Sequence, residues 1–152
     1  MPGPQVHFRL TMEWAIDEGM SAADAEAVAR ADVQVDQLWP GRRHWGRHFN
    51  PMAVHVLARR YTAEAARLES AGAHEEALVA LGRALHSLQD GIGHGRLGLA
   101  HLKHRAGLLK RHPDEWDPTP VHTQKGIERL TRAALREFLD ASGGTEQNGQ
   151  II

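Results

Sequence analysis

The stretch HEEALVALGRALHSLQD, residues 74–90, decides the fold of this chain. Leucines recur along it at the three- and four-residue intervals that place side chains on one face of an α-helix. They are Leu78, Leu81, Leu85 and Leu88. The pattern predicts a helix from about His74 to Gln89 that buries this face in a hydrophobic core.

A second row of residues follows the same predicted helix. It consists of Gly82, His86 and Asp90, at positions i, i+4 and i+8. The row is displaced from the leucines by one residue's rotation of about 100°. We therefore expect His86 and Asp90 to border the core and not to face bulk water.

Helix signals continue on the N-terminal side. A loosely periodic segment between Phe8 and Met20 ends at Gly19, in the manner of a C-terminal stop. Ser21, with Asp24 three residues later, resembles a capping box that opens an alanine-rich helix running to about Gln37.

Two more helices are predicted by similar signals. Asn50 and Pro51 form an N-cap and first-residue pair, and the helix that they open should stop at Gly72. A last helix is predicted from about Thr123 to Ala141. Its apolar face is expected to carry Ile127, Leu130, Ala134 and Phe138.

These signals predict an all-α fold, a single-domain bundle of about five helices over residues 1–141, with a disordered tail over residues 142–152. The segment from Gly91 to Pro118 is rich in glycine and histidine, so we expect a long loop after the fourth helix. Within it, Gly91, Gly93 and Gly95 are expected to let the chain turn sharply and bring His94 back towards the helix end.

Composition narrows the function classes. The chain has 152 residues, a formal net charge of −1 and no cysteine. The charge argues against an electrostatic nucleic-acid binder, and the missing cysteine excludes disulfides, thiolate zinc sites and cysteine nucleophiles. No apolar run is long enough for a transmembrane helix and no signal peptide is recognisable, so a cytoplasmic location is expected.

The motif with the clearest chemistry is ALHSLQDGIGHG, residues 84–95. His86 and Asp90 are four residues apart, so their side chains share one helical face and can bind one cation. The alternative is a hydrogen-bonded core histidine beside a helix-end carboxylate. An aspartate at a helix C-terminus opposes the macrodipole, and this favours the metal interpretation.

Four segments together resemble the zinc-dependent phospholipase C and P1 nuclease superfamily. They are VHFRLT with His7, VQVDQ with Asp36, HFNP with His48, and ALHSLQDGIGHG with His86, Asp90 and His94. The resemblance covers about the first 95 residues and implies an all-helical enzyme with two or three Zn²⁺ ions. It also implies that the substrate is a phosphate ester.

The resemblance assigns roles to individual residues. Asp36, His48, His86 and Asp90 would form one zinc site, and Asp90 would bridge to a second ion held by His7. His94 would begin a third site. The later H-x3-[DE] pair of the family is missing here, so His112 in HPDEWDP is the expected substitute, with His101 or His104 as alternatives.

The loop before Pro51 offers further candidates. His44 competes with His48 for one ligand position, and His48 is preferred because it is next to the Asn50–Pro51 helix start. Arg47, with its neighbouring arginines, and Trp45 are candidate substrate-binding residues, since an arginine fork binds phosphate and an indole stacks. A solvated basic loop is the alternative.

Three functions are compatible with this pattern. The first is a zinc-dependent hydrolase that cleaves a phosphate ester through a metal-activated water, with Asp36 or Asp90 accepting the proton. The second is a metal-dependent Lewis-acid enzyme acting on a non-phosphate small molecule. The third is a non-catalytic binding module that a metal stabilises.

Overall fold

The computed structural model describes the backbone of residues 5–38, 51–105 and 121–146, and the side chains of residues 5–37, 53–92 and 121–143. These residues form five α-helices and an opening π-helical segment, Gln5–Leu10, with no strand among them. The helices are α1 (Thr11–Asp17), α2 (Ala22–Leu38), α3 (Pro51–Ser70), α4 (His74–Arg105) and α5 (Val121–Glu146). The predicted all-α bundle is confirmed.

The helix signals predicted at Gly19, Ser21 and Gly72 are confirmed by their capping geometry. The segment predicted from Phe8 begins earlier, as the π-helical segment, and α1 itself starts at Thr11. The Ser21 hydroxyl accepts the backbone N–H of Asp24 at 3.1 Å and donates to its carboxylate at 2.8 Å. Gly19 and Gly72 adopt φ angles of +100° and +75°, a conformation that is strained for residues with a Cβ. After α3, the Gly72 N–H reaches the Glu69 carbonyl at 2.9 Å and the Ala73 N–H reaches the Leu68 carbonyl at 3.0 Å, which is a Schellman motif.

Helix α4 is the central element and packs against α2, α3 and α5. The leucine face predicted from the sequence is confirmed there: Leu78, Leu81 and Leu85 are buried, and Leu88 packs against the core from a partly buried position. Within the described part of the chain, no helix is long and apolar enough to cross a membrane.

The prediction that α4 ends near Gln89 is wrong. The helix continues through the glycines to Arg105, so a loop over residues 91–105 does not exist, and residues 106–120 lie outside the described part. The reason is visible at Gly91, where a Cβ would lie 2.9 Å from Val54 Cγ1 of α3. This glycine therefore permits close packing of two helices inside a continuing helix, and no turn follows it.

Helix α5 differs from its prediction in two respects. It runs on to Glu146, so residues 142–146 of the predicted tail are helical, and residues 147–152 lie outside the described part. Leu130, predicted to be in the core, is 37% exposed. It borders an open groove of about 450 Å³ between α3 and α5, where short alanines such as Ala63 and Ala66 leave it uncovered.

An ion-pair network ties α1 to α5. Arg132 contacts Asp17 at 2.9 Å, Glu18 at 3.0 Å and Glu128 at 2.9 Å. Although partial burial lowers the pKa of Arg132, hydrogen bonds to these carboxylates outweigh that effect and raise it. Because α1 follows directly on the π-helical segment, this network also fixes the position of that segment against the bundle.

Candidate metal centre

A buried polar cluster lies where the π-helical segment, α2 and α4 meet. The π-helical segment supplies His7, α2 supplies Asp32 and Asp36, and α4 supplies His86 and Asp90. Four of these five residues are at most 1% exposed, whereas the Asp36 side chain is 23% exposed. The cluster therefore opens towards the surface on its Asp36 side.

The two imidazole rings are stacked. The ring centroids of His7 and His86 are 4.3 Å apart, with an angle of 26° between the planes. In this arrangement the Nδ1 atoms of both rings face Asp32: His7 Nδ1 lies 2.8 Å and His86 Nδ1 lies 3.2 Å from the same oxygen, Oδ1. One carboxylate oxygen thus serves both rings.

The opposite edges of the rings face the other two carboxylates. His86 Nε2 is 3.2 Å from Asp90 Oδ2 and 3.6 Å from Asp36 Oδ1, and His7 Nε2 is 3.6 Å from Asp90 Oδ1. Nitrogen and oxygen atoms of His7, His86 and Asp90 that can bind a metal all lie within 4.8 Å of one another. Among the described residues, His7 Nε2 and Asp36 Oδ1 are buried atoms without a hydrogen-bond partner.

A hydrogen-bond network behind the cluster determines which nitrogen of His7 carries a proton. Gln89 donates from Nε2 to the Thr11 hydroxyl at 2.8 Å, and it also lies 3.4 Å from the Thr131 hydroxyl. Its Oε1 therefore faces His7 Nδ1, at 2.8 Å, as an acceptor. With Asp32 Oδ1 as a second acceptor at the same atom, Nδ1 must be protonated, and a neutral His7 carries its lone pair on Nε2.

Close packing of two helices brings the carboxylates to the rings. Gly82 is one turn before His86 on α4, and a Cβ there would lie 2.5 Å from the Val28 carbonyl oxygen and 2.9 Å from Asp32 N. Only glycine allows α2 and α4 to approach this closely. Asp32 and Asp36, four residues apart on α2, consequently both reach the cluster.

The charges of the cluster determine its protonation. Burial by itself lowers the pKa of His7, but the charge of Asp32 and the hydrogen bond to it prevail and raise that pKa to about 9. Burial likewise opposes protonation of His86, and Asp90 and Asp32 outweigh it, so the pKa of His86 is well above its usual value. Without a bound cation, both shifts favour the protonated form of the imidazoles.

The structure brings together four of the sequence-predicted ligands, His7, Asp36, His86 and Asp90. It places the backbone of His94 one helical turn beyond Asp90 on α4, and not on a returning loop; its side chain is outside the described set. The remaining candidates lie outside the described residues, or in the case of His101 and His104 outside the described side chains. They are His44, Trp45, Arg47, His48, His101, His104 and His112.

The fold gives Asp90 a different environment from the one expected from the sequence. Asp90 is in the interior of α4 and not at its C-terminus, because the helix runs on to Arg105. The helix dipole therefore gives no reason for a cation beside Asp90. A second buried carboxylate, Asp32, adds negative charge at the opposite edge of the two rings, and it is absent from the residues predicted from the sequence.

The sequence does contain a signal for Asp32. It follows Ala25, Val28 and Ala29 on the buried face of α2, so it is a carboxylate in an otherwise apolar row. With Asp36 it also repeats the four-residue spacing of His86 and Asp90. Thr11, Gln89 and Thr131 carry no such signal, since single neutral polar residues are common in helices.

Comparisons with known proteins add nothing to this geometry. A scan against protein-family models, a search of curated proteins and a search of solved structures each found no significant match to the chain.

Proposed function

We propose that this protein is a metal-dependent hydrolase, with a divalent cation, most simply Zn²⁺, held by His7, Asp36, His86 and Asp90. The observation that carries the proposal is His7 Nε2. This atom has no hydrogen-bond partner among the described residues, although the His7 side chain is only 1% exposed. A buried polar atom without a partner costs about 1–3 kcal/mol, and a metal ion would supply the missing interaction.

The distances between the donor atoms support a single ion. Zinc binds nitrogen and oxygen ligands at about 2.0–2.1 Å, so neighbouring ligands of a tetrahedral site are about 3.3 Å apart. The nitrogen–oxygen separations between the imidazole Nε2 atoms and the carboxylates are 3.2 Å and 3.6 Å. The two separations of 3.6 Å, from His7 Nε2 to Asp90 and from His86 Nε2 to Asp36, are longer than a good hydrogen bond. They are close to the distance between two ligands of the same cation.

Charge supports the same conclusion. With the three carboxylates ionised and both imidazoles neutral, Asp32, Asp36, Asp90, His7 and His86 sum to −3. Such a charge is costly to bury. One divalent cation brings the sum to −1, the same value that two imidazole protons give. The cluster is thus suited to exchange two protons for one divalent metal ion.

The order of the ligands along the chain supports a phosphate ester as substrate. The early histidine, the aspartate near the end of a helix and the helical H-x3-D are the elements that resemble the phospholipase C and P1 nuclease superfamily. In a site of this type, a bound cation lowers the pKa of a water ligand and stabilises charge developing on the phosphate. Residues whose side chains lie outside the described part of the chain remain candidates for binding further zinc ions and the substrate. They are His48, Arg47, Trp45, His94 and His112.

The chain's own residues have distinct parts in this proposal. Asp36 is the most exposed member of the cluster and lies where a substrate can enter. Its carboxylate is therefore placed to accept a proton from a water at that edge. Asp90 is fully buried and has one oxygen towards each imidazole, so its part is to hold the site together, with proton transfer as a secondary role.

The proposal is tested first by metal content. Protein prepared without an affinity tag and incubated with zinc should retain at least one ion per chain by elemental analysis. Asp90→Asn should lose most of it, whereas Asp24→Asn, which changes an aspartate on the surface side of α2 beside His74, should not. Equal zinc content in the two variants, or none in the wild type, overturns the metal site.

Activity is tested with the same proteins. The zinc-loaded wild type should hydrolyse p-nitrophenyl phosphate or bis(p-nitrophenyl) phosphate, and a chelator should abolish turnover that added zinc restores. Asp36→Asn should reduce kcat more than it reduces zinc content, because the expected role of Asp36 includes proton transfer. Zinc binding without turnover of either ester contradicts the hydrolase but not the metal site.

A second candidate function is a metal that only stabilises the fold. The observation favouring it is the burial of His7, His86 and Asp90, since structural metal sites are closed whereas catalytic ones keep an open position. Zinc should then raise Tm and a chelator should lower it, with no ester or other substrate turned over. The Lewis-acid enzyme acting on a non-phosphate molecule is the remaining alternative, and it predicts zinc binding with turnover of other substrates.

A further inference from the structure

We propose that Asp32 is the positioning residue of this centre, a single carboxylate that orients both imidazoles so that their Nε2 atoms face Asp36 and Asp90. The inference rests on the proposed metal site, to which it adds a residue that binds no metal itself. The carrying observation is that Asp32 Oδ1 lies within 3.2 Å of Nδ1 of both His7 and His86.

The position of Asp32 is itself fixed. The residue is fully buried, and its second oxygen, Oδ2, accepts the Thr11 hydroxyl at 3.0 Å. Thr11 in turn accepts a hydrogen bond from Gln89, whose Oε1 is the other acceptor at His7 Nδ1. Asp32 therefore cannot turn away from the rings without breaking contacts to three different elements.

This arrangement determines how each imidazole can bind a metal. A neutral imidazole carries one proton, and a nitrogen that donates it to a carboxylate leaves the other nitrogen with the lone pair. Because both Nδ1 atoms donate towards Asp32, both lone pairs lie on Nε2, on the side of Asp36 and Asp90. A carboxylate behind a metal-binding histidine also increases the basicity of the ring.

The geometry argues against Asp32 as a metal ligand in its own right. Its Oδ1 is 2.8 Å from His7 Nδ1, a hydrogen-bond distance that is shorter than the roughly 3.3 Å between two ligands of one zinc ion. The Nδ1 edge of His7 is also closed by Gln89 Oε1 at 2.8 Å. A cation on this side would have to displace both contacts.

Zinc affinity tests the inference. Competition with a chromophoric chelator should give a dissociation constant for Asp32→Asn that is 10–100-fold weaker than that of the wild type. Asp24→Asn, on the same helix and also beside a histidine, His74, should bind as the wild type does. The variant Asp32→Glu distinguishes the position of the carboxylate from its charge, because it keeps the charge but moves the carboxylate. This variant should also bind zinc weakly. Wild-type zinc affinity in Asp32→Glu overturns the inference.

A second measurement decides the matter if the variants fail to fold. In the ¹⁵N-histidine spectrum of the zinc-loaded wild type, His7 and His86 should each show a protonated Nδ1 and a zinc-bound Nε2. Zinc bound through Nδ1 of either ring overturns the role of Asp32 while leaving the metal site intact. A wild type that binds no zinc overturns both the site and its positioning residue.

Discussion

Replacing Gly82 with alanine should destabilise the protein, contrary to the usual effect of this change in a helix. In an open helical position the substitution stabilises by roughly 0.5–1 kcal/mol, because glycine loses more backbone entropy on folding. At Gly82 the new Cβ would lie 2.5 Å from the Val28 carbonyl oxygen, 2.6 Å from Ala31 Cβ and 2.9 Å from Asp32 N. Carbon atoms in good contact are about 3.5–4.0 Å apart, so α2 and α4 must separate by roughly 1 Å.

The magnitude follows from what that separation disturbs. Overpacking of this kind costs about 1–3 kcal/mol. The hydrogen bond between His86 Nδ1 and Asp32 Oδ1, already 3.2 Å long, would stretch beyond its useful range, and losing a buried hydrogen bond costs about another 1–3 kcal/mol. After the helix-propensity gain is subtracted, the free energy of unfolding should fall by about 3 kcal/mol, or roughly 6–12 °C in Tm for a chain of this size.

Urea unfolding followed by circular dichroism measures this difference. Gly126→Ala is the matched control, because Gly126 is also helical and its added Cβ would meet Ile92 Cγ2 at an ordinary 3.5 Å. That variant should be as stable as the wild type or up to about 1 kcal/mol more stable. If Gly82→Ala proves at least as stable as Gly126→Ala, the claim that Gly82 sets the distance between α2 and α4 is refuted.

Three further predictions concern other parts of the molecule. In chelator-treated protein, the fold raises the pKa of His7 from 6.5 to about 9, so protonation of His7 stabilises the folded state. This stabilisation is complete below about pH 6.5 and is lost as the pH rises through about 9. The urea midpoint should therefore be lower at pH 9.5 than at pH 6.5, and equal midpoints contradict this role of His7. Arg132→Met should cost about 1 kcal/mol in low salt by urea unfolding, and a cost that does not shrink in 1 M NaCl counts against the ion-pair network. Ser21→Ala should cost about 1 kcal/mol through its lost N-cap, whereas Ser70→Ala should stay within about 0.5 kcal/mol, and equal losses contradict the cap.

Local signals were sufficient to predict most of the fold. Helix stops at Gly19 and Gly72 follow from the positive φ angles that glycine adopts without strain, and the Ser21 cap is a contact between near neighbours. The leucine face of α4 follows from helical periodicity alone. These features depend on residues a few positions apart, which is why one sequence is enough to predict them.

Long-range packing explains what was mispredicted. Gly91 reads as a helix breaker in the sequence, yet Val54 of α3 makes a glycine necessary there within a continuous helix. Leu130 lies on the apolar face by periodicity, but the alanines opposite it are too short to cover it. In both cases the deciding atoms belong to a helix more than 30 positions away along the chain.

The candidate site was predictable to a similar extent. His86 and Asp90 were found from their spacing, and His7 and Asp36 were found only through the resemblance to a family. Asp32 was missed because its importance comes from contacts to two histidines, one 25 positions before it and the other 54 positions after it. The sequence shows a carboxylate in the apolar row of α2, but its place between two imidazoles becomes evident only when the π-helical segment and α4 are packed against α2.

The wide separation of the cluster's residues along the chain has a consequence for the order of folding. The hydrogen bonds that join it span 21, 54 and 82 residues, from Thr11 to Asp32, from Asp32 to His86 and from His7 to Gln89. Contacts of such length form only after the intervening chain has closed into loops, and that closure is entropically costly. Nascent chains still emerging from the ribosome consequently lack the cluster until α4 has been synthesised, and the two stacked rings should be among the last parts of the bundle to become ordered.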